Sequence, residues 1–422
     1  MQARSRVNQS KPRLRWPLNI EPVELKGENY IVIRDQHGLA PRPAVFPHAL
    51  FPLVARFDGT RSIREIVDEG RAFGVTDELV EQVVATLASM NFMDTAETRA
   101  RWEEVKVEYR AQAIREEALA GIVYPREQGE LRSLIDGFVE KSAAHHFQND
   151  DSRDPIGLIC PHIDYRRGWH TYGTAYSILK QLRKPDVIFL LGTAHQASEG
   201  YFHLTKKHFQ TPLGTFNADH RILDGIFQSY GSERLLRDEI LHKREHSLEL
   251  QLPFLAHRFA GEGLPSLVPI LVGSFHESLL RNRAPVEVAE IGDFVETLAG
   301  VIQMLRLSGT RVLFYGGVDL AHVGLHFGDD YRVSDNGLDH IEQRDRELLG
   351  TALDGDEEAL FAHLASDLDA RRICGFPSIY TMLAVLRRAG VRIQGKLVEY
   401  RQAVEKEADC VVTFASACWF EV

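Results

Sequence analysis

The feature that most limits the fold of this chain is a series of short, continuously apolar segments that alternate with helix-like segments. Four of the apolar segments are strand-sized: Gly157–Cys160, Val187–Leu191, Leu267–Val272 and Val312–Tyr315. Five helical segments are predicted between or after them: 170–183, 217–230, 290–307, 337–350 and 376–390. Strands that are buried on both faces show apolar runs rather than alternation. We therefore predict an α/β fold with a mostly parallel central sheet and helices on both of its faces.

The composition is that of an ordinary globular protein with more than one domain. The 422 residues are 44% hydrophobic and 26% charged, and the net charge is −11. This charge gives no general attraction to nucleic acid or to anionic membranes. No segment has the roughly 18 apolar residues of a membrane span, and four scattered cysteines do not make a disulfide framework. We predict a cytoplasmic protein that binds neither nucleic acid nor membrane.

The N-terminal part is predicted to be separate from the α/β domain. We divide the chain into a disordered basic tail over 1–24, a small winged-helix-like domain over 25–95, a linking helix over 96–118 and the α/β domain over 119–422. The tail is inferred from the early basic residues, among them Arg4, Arg6 and Arg15. The linking helix is inferred from a charged stretch that lacks glycine and proline.

Within the small domain, the strand Tyr30–Ile33 precedes two helices, one capped by Thr60 or Ser62 and one capped by Thr76. Three features make this domain resemble PqqD-like peptide-recognition domains: the segment Phe57–Ile63, the pair Val75-Thr76, and Leu87 followed by Phe92-Met93. The resemblance implies binding of a peptide or a partner protein by strand addition. The alternative is a helix-turn-helix without a ligand. DNA binding is disfavoured because the second helix carries acidic residues.

Three of the apolar strands lead into a histidine. His162 and His195 follow two of them closely, and Asp319 with His322 follows a third. Packing gives no reason to place histidine there, and one such residue would be interpreted as structural. Because the carboxyl ends of parallel strands meet in one crevice, three of them are expected to converge. A metal ion could then bridge the imidazoles.

Cys374 is the cysteine of interest because it lies in a glycine-containing turn before an apolar helix. A helix N-terminus favours a thiolate. Cys374 is therefore interpreted as a metal ligand or as a reactive thiol, including a covalent nucleophile paired with His322. A buried structural cysteine is the third interpretation. The remaining cysteines lie in or beside apolar runs and are predicted to be core residues: Cys160, Cys410 and Cys418.

Several motifs over residues 113–422 occur in the order typical of Memo proteins, which this part of the chain resembles. They are Ala120–Pro125, Pro161-His162, Gly192–His195, Glu245–Glu249, Pro269–Gly273, Asp319–His322 and Ile373–Gly375. Memo proteins are similar in fold to class III extradiol dioxygenases. In bacteria they are protein B of the AmmeMemoRadiSam system, which includes a radical-SAM protein. The resemblance therefore implies a metal centre and a radical-SAM partner.

The resemblance assigns a role to each matching residue. His162, His195 and Cys374 match the metal ligands of the family, and His322 matches the acid–base histidine of the dioxygenase relatives. Two further residues match the pocket. Asp319 is expected to orient a histidine through a hydrogen bond. His246 is expected to bind substrate or to transfer a proton.

The residues around these positions depart from the family pattern. After the first ligand, Ile163-Asp164 replaces the usual Ala-Gly, and Val123 stands where an aromatic residue is common. The Gly375-Phe376-Pro377 turn is one residue shorter than the usual Gly-Arg-x-Pro. The predicted metal ligands match the family pattern, whereas the residues next to them differ. The substrate is therefore not inferred from relatives.

The first functional hypothesis is a non-haem iron(II) oxidoreductase or dioxygenase acting on a small aromatic or peptide-borne substrate. Zinc or copper are the alternative metals because thiolates favour them. The second hypothesis is a zinc-dependent hydrolase on the same ligands, and the third is a non-catalytic metal-binding adaptor. Near the candidate site, His242 is predicted to be solvent-exposed. Glu249 is interpreted either as a pocket carboxylate or as part of a solvated helix face.

Overall fold

The structure is a computed structural model and describes residues 11–25, 27–35, 37–145, 147, 153–196 and 198–422. The chain divides into two compact units, Met1–Ala111 and Gln112–Val422. Among the described residues, no helix combines the length and apolar character needed to cross a membrane. Arg4 and Arg6 of the predicted tail lie outside the described residues.

The N-terminal unit contains a three-stranded antiparallel sheet and helices around one apolar core. Its strands are β1 (Leu18–Leu25), β2 (Glu28–Asp35) and β3 (Ala44–Pro47), and its helices are α1 (Phe51–Val54), α2 (Ile63–Gly70), α3 (Asp77–Ser89) and α4 (Ala96–Ala111). Ser62 caps α2 in a capping box with Glu65, and Thr76 caps α3 through the amide of Leu79. The predicted strand and both predicted helices are present.

The prediction of a disordered tail is wrong for residues 11–24. Residues 18–24 belong to β1, which pairs with β2 over its full length. Arg15 is buried, forms an ion pair with Asp35 and donates to the carbonyl of Asn91 at 2.6 Å. Local sequence suggested a tail because it shows the positive charges without their partners, which come later in the chain.

The linking helix ends earlier than predicted. Helix α4 stops at Ala111, and the next residues form the short strand β4 (Ile114–Arg115), which pairs with β8 (His208–Thr211) in the large unit. The boundary therefore lies at 111/112 rather than at 118/119. The physical reason is Arg115, which is 1% exposed and needs buried acceptors inside the large unit.

The large unit is an α/β structure around an eight-stranded sheet. The remaining strands are β5 (Gly157–Cys160), β6 (Val187–Thr193), β7 (Phe202–Leu204), β9 (Gly214–Phe216), β10 (Ser266–Val272), β11 (Val312–Gly317), β12 (His322–Val323), β13 (Ile393–Glu405) and β14 (Cys410–Glu421). Strands β4, β8 and β9 form a separate small sheet. All four predicted strands are present.

The helices of the large unit include the five predicted ones, with shifted ends. They are α5 (Gln128–Lys141), α6 (Tyr165–Gln181), α7 (His220–Ile226), α8 (Ser232–Leu236), α9 (His246–Glu249), α10 (Leu252–Phe259), α11 (His276–Leu280), α12 (Ala289–Leu307), α13 (Asp335–Leu353), α14 (Glu357–Ala365) and α15 (Phe376–Arg388). Helix α6 starts five residues before its predicted start because Asp164 caps it through the amide of Arg167.

The centre of the large sheet is parallel, as predicted, and its flanks are antiparallel. The strand order is β12-β14-β5-β11-β6-β10-β7, and β13 pairs with β14. Strands β5, β11, β6 and β10 run parallel to their neighbours in this group. Side chains of β6 alternate between two apolar cores, with Phe189 in one and Leu190 in the other. Helices therefore cover both faces of the sheet, which confirms the predicted fold class.

Candidate metal centre

The candidate ligands come from the carboxyl ends of neighbouring parallel strands. His162 follows β5, His195 follows β6, and Asp319 follows β11, which lies between them in the sheet. Cys374 precedes α15. The strand order thus brings together residues that are far apart in the sequence. His162 is 2% exposed, whereas the His195 side chain is 34% exposed, so the cluster opens to solvent on the His195 side.

Three donor atoms of His162, His195 and Cys374 lie within 4.8 Å of one another. The Cys374 Sγ is 3.4 Å from Nε2 of His162. Bonds of about 2.3 Å to sulfur and about 2.0 Å to nitrogen at a tetrahedral angle separate the two donors by about 3.5 Å. The spacing of these side chains therefore fits a single transition-metal ion, and the donors are those that sequence reasoning selected.

Hydrogen bonds orient His162 for such a role. Its Nδ1 lies 2.9 Å from the carbonyl of Gly317 and donates to it, which leaves Nε2 unprotonated and directed at Cys374. Its backbone amide donates to Oδ1 of Asp319 at 2.9 Å. Burial lowers the pKa of His162 well below its usual value, and the neighbouring histidines add to the effect. The imidazole is therefore neutral at pH 7, as a metal ligand must be.

His195 is oriented by a carboxylate that sequence reasoning did not select. Its Nδ1 lies 2.9 Å from Oε1 of Glu245, and its backbone amide donates to Oε2 at 3.1 Å. Burial acts to raise the pKa of Glu245, but His195 and His246 outweigh burial and hold that pKa well below its usual value. Glu245 is therefore ionised and accepts from Nδ1 of His195. This fixes the tautomer of His195 in which Nε2 carries no proton. The signal available in the sequence was the acidic residue directly before His246.

Replacing this carboxylate should weaken metal binding without removing a ligand. Glu245→Gln removes the negative charge. The side-chain amide nitrogen of the glutamine, which is a donor, would also face a backbone amide that donates. We expect the affinity for zinc or iron(II) to fall about 10- to 100-fold, the range found when partners of metal ligands are removed. Competition against a chromophoric chelator measures the change. Glu262→Gln, in an exposed ion pair with Arg258, is the control and should leave the affinity unchanged.

The structure places His246 beside His195 and Glu245. Its ring stacks on that of His195 at a centroid distance of 4.5 Å, and its Nδ1 lies 3.1 Å from Oε1 of Glu245. Burial acts to lower the pKa of His246, but Glu245 reverses the effect and raises that pKa above its usual value. His195, Glu245 and His246 form a second group of donors close enough to hold an ion. In this group Nδ1 of His195 and Nδ1 of His246 share Oε1 of Glu245 as their hydrogen-bond acceptor.

Cys374 and Asp319 are held in low-polarity surroundings. Burial raises the pKa of the Cys374 thiol well above its usual value, so the thiol is protonated at neutral pH until a cation replaces its proton. Burial also raises the pKa of Asp319 to about 7. Asp319 was predicted to orient a histidine. In the structure it accepts from the backbone amide of His162, whereas the ring of His162 is held by the Gly317 carbonyl.

His322 is placed beside the cluster on β12. Its Nδ1 lies 3.0 Å from the carbonyl of Leu320 and 3.2 Å from that of Arg372, so Nε2 is left as an acceptor. Burial lowers the pKa of His322 to about 4, which keeps the ring neutral at pH 7. Phe327 packs edge-on against the ring. The arrangement suits an acid–base group more than a ligand.

Close packing against two glycines fixes the helix that carries His246. A Cβ on Gly192, near the end of β6, would meet Oγ of Ser247 at 2.5 Å. A Cβ on Gly317, at the end of β11, would overlap the backbone carbonyl of the same serine. No side chain fits between these strand ends and α9. The glycines thus allow the backbone approach that the centre needs.

We expect Gly317→Ala to lower the free energy of unfolding by about 1–3 kcal/mol, since overpacking displaces the backbone. The matched control is Gly300→Ala on the exposed side of α12, where an added Cβ meets nothing within 4 Å. That change should raise the free energy of unfolding by about 0.5–1 kcal/mol because alanine favours helices. Urea unfolding of both variants tests the pair, and equal stabilities would contradict the packing argument.

A buried ion pair supports the segment that carries Glu245 and His246. Glu249 is fully buried, forms an ion pair with Arg115, and accepts from the hydroxyl of Tyr124 at 2.6 Å. Arg115 also donates to the carbonyl of Glu245 at 3.1 Å. Glu249 is therefore structural, neither a pocket carboxylate nor part of a solvated face.

The prediction of an exposed His242 is wrong. The side chain is 1% exposed, and its Nε2 lies 2.9 Å from the carbonyl of His203. Burial lowers the pKa of His242 to about 3, so it is a neutral core histidine. Its polar neighbours in the sequence suggested a surface position, whereas the carbonyl that satisfies it belongs to a distant strand.

The fold and the site together define a class of α/β proteins with a candidate metal-ligand cluster at the carboxyl ends of parallel strands. The model of the Memo-like protein family matches residues 115–418. The chain therefore belongs to the Memo family. The match begins at Arg115, the buried residue at the start of the large unit.

Known relatives support this assignment and differ in how much of the chain they cover. A MEMO1 family protein of Aquifex aeolicus (strain VF5) is 26% identical over 413 residues, which are 97% of this chain and 100% of that protein. The MEMO1 family protein TTHA0924 of Thermus thermophilus is 28% identical over 75% of this chain and 85% of its own length. MEMO1 family protein Mbar_A1422 of Methanosarcina barkeri is 27% identical over 72% of this chain and 98% of its own length.

Proposed function

We propose that the large unit is a metal-dependent oxidoreductase that holds iron(II) through His162, His195 and Cys374. The observation that carries the proposal is the convergence of one ring nitrogen from each histidine and the Sγ of Cys374 within 4.8 Å, while Nδ1 of each histidine has a hydrogen-bond partner. Three protein donors leave coordination positions open for other molecules. When bound, iron(II) would supply the reactivity toward dioxygen that an organic substrate lacks.

Two histidines of the chain would handle protons beside that centre. His322 presents an unprotonated Nε2, which can accept a proton from a substrate hydroxyl. His246 has its Nδ1 on Glu245 and a raised pKa, so it can donate a proton or a hydrogen bond from Nε2 to an anionic oxygen. The opposite directions of these two pKa shifts separate a base from an acid.

The substrate of this proposal is a small aromatic molecule or a modified residue of a peptide, and the partner is a radical-SAM protein. The peptide alternative is motivated by the N-terminal unit, whose sheet has β1 and β3 as its edges. The Methanosarcina relative is matched almost completely by 72% of this chain. The family match over residues 115–418 lies within the large unit, where this proposal places the metal, and the N-terminal unit would be an added binding module.

Nitric oxide, a stable analogue of dioxygen, tests the proposal. Anaerobically purified chain loaded with iron(II) should give the electron paramagnetic resonance signal of an iron–nitrosyl adduct, and Cys374→Ala should lose it. Zinc at this centre with activity in the absence of oxygen would favour the hydrolase instead. The adaptor would be favoured by two results together: the wild type contains no metal, and partner binding survives when His162 and His195 are both replaced by alanine.

A further inference from the structure

Three helices on one face of the large sheet bring a tyrosine, a histidine and an aspartate into line outside the metal centre. Tyr176 of α6 is 3% exposed, and its hydroxyl lies 2.6 Å from Nδ1 of His257 on α10. The other ring nitrogen of His257 lies 3.3 Å from Oδ1 of Asp136 on α5. The neighbouring carboxylate of Asp136 favours the tautomer with the ring proton on Nε2, so the Tyr176 hydroxyl donates to Nδ1.

This geometry answers a chemical requirement of tyrosine oxidation. A phenol that loses one electron becomes a strong acid, so a buried tyrosine is oxidised only when a base takes its proton at the same time. Nδ1 of His257 is placed to take that proton, and the imidazolium that forms stays paired with Asp136. Burial raises the pKa of Tyr176 to about 12, so the residue starts as the protonated phenol.

We propose that Tyr176, His257 and Asp136 form a redox-active tyrosine site. Tyr176 gives one electron to an oxidant, its hydroxyl proton moves to Nδ1 of His257, and a neutral tyrosyl radical remains. The reverse step restores the phenol when a reductant returns the electron. The ammonium group of Lys180 lies 5.5 Å from the centre of the Tyr176 ring and disfavours loss of an electron. The site therefore requires an oxidant of high potential.

Three other buried tyrosines of this unit have a peptide carbonyl in place of such a base, whereas the hydroxyl of Tyr124 donates to the carboxylate of Glu249. The hydroxyls of Tyr165, Tyr172 and Tyr230 donate to the backbone carbonyls of Leu250, Ile163 and Glu290 at 2.6, 3.0 and 3.0 Å. A peptide carbonyl does not take up a proton at neutral pH. Oxidation of these residues would leave the proton without a destination, and this difference distinguishes Tyr176 from them.

A chain of aromatic rings connects the site with the segment of a metal ligand. Tyr172 lies one helical turn before Tyr176 and donates to the carbonyl of Ile163, the residue after His162. Its ring stacks on Phe254 at 5.0 Å, and Phe254 lies 6.3 Å from the Tyr176 ring. The oxidant would be a high-potential one-electron oxidant of the kind that forms when dioxygen is activated without conversion of a substrate. This link to the metal centre rests on the proposed function. The tyrosine site would reduce such an oxidant before the oxidant reacts with Cys374.

A photochemical experiment tests the tyrosine site without the metal. The metal-free full-length chain is oxidised with photogenerated ruthenium(III) tris(bipyridine), frozen, and measured by electron paramagnetic and electron–nuclear double resonance. We expect a tyrosyl component with an exchangeable hydrogen bond that is lost in Tyr176→Phe and in His257→Phe. Tyr230→Phe should retain it. Circular dichroism shows whether the variants fold. A spectrum that Tyr176→Phe leaves unchanged overturns the proposal.

A second arm separates this inference from the proposed function. Iron-loaded chain is exposed to dioxygen without substrate, and the same radical component and the oxidation of Cys374 are followed. We expect the component in the wild type and faster oxidation of Cys374 in Tyr176→Phe. If the component forms with the ruthenium oxidant but not with iron and dioxygen, the tyrosine site stands and the proposed oxygen chemistry fails.

Discussion

Cys374→Ala is expected to reduce the metal content of the purified chain from near one ion per chain to background, and His195→Ala is expected to do the same. Each change removes one of three protein donors. Loss of a mere partner of a ligand already costs about 10- to 100-fold in affinity, so loss of a ligand should cost more. Elemental analysis after anaerobic purification measures the content.

The matched control for the cysteine is Cys418→Ala, which removes the same thiol from the middle of β14. It should keep its metal, because Cys418 belongs to an apolar core rather than to the donor cluster. If Cys374→Ala retains the wild-type content while His195→Ala loses it, the thiol is not a ligand. The group formed by His195, Glu245 and His246 would then be the better location for the ion.

Glu249→Gln is expected to lower the free energy of unfolding by about 3–5 kcal/mol, the cost of leaving one charge of a buried pair uncompensated. Arg115 and Glu249 are 1% and 0% exposed, and the carboxylate also accepts from the amides of Ala118 and Leu119. Urea unfolding measures the loss. Because Arg115 also holds the carbonyl of Glu245, the variant should bind metal more weakly as well.

Two comparisons make this prediction specific. Glu347→Gln removes a surface ion pair with Arg344 and should change stability by no more than about 1 kcal/mol. The double replacement of Arg115 and Glu249 by leucine should recover part of the loss, because no isolated charge remains in the core. A loss below about 1 kcal/mol in Glu249→Gln alone would show that water or another cation compensates Arg115.

The sequence predicted the parallel centre of the sheet because buried parallel strands are continuous apolar runs. It did not predict the flanks. Strand β13 carries charged and polar side chains such as Lys396, Glu399 and Arg401, so it shows no apolar run, and only its pairing with β14 makes it a strand. The N-terminal strand β1 was missed for a similar reason.

The candidate site could be predicted where position along a strand determines it and not where a distant partner does. His162 and His195 were found because they follow strands, and Cys374 because it precedes a helix. Glu245 was missed because its interaction with His195 joins residues 50 positions apart. The same applies to Arg115, whose partner Glu249 lies 134 positions later. The polar partners of buried side chains are fixed by the tertiary fold rather than by local pattern.

The strand order has a consequence for how the centre is assembled during synthesis. Strand β14 follows Cys374 in the sequence and pairs with β5, which leads to His162, so Cys374 and β14 emerge from the ribosome long after both candidate histidines. Before that point a nascent chain has two of the three donors and an incomplete sheet. The three donors therefore come together only after Cys374 and β14 have been made, and a product truncated before β14 would leave β5 without one of its two neighbouring strands.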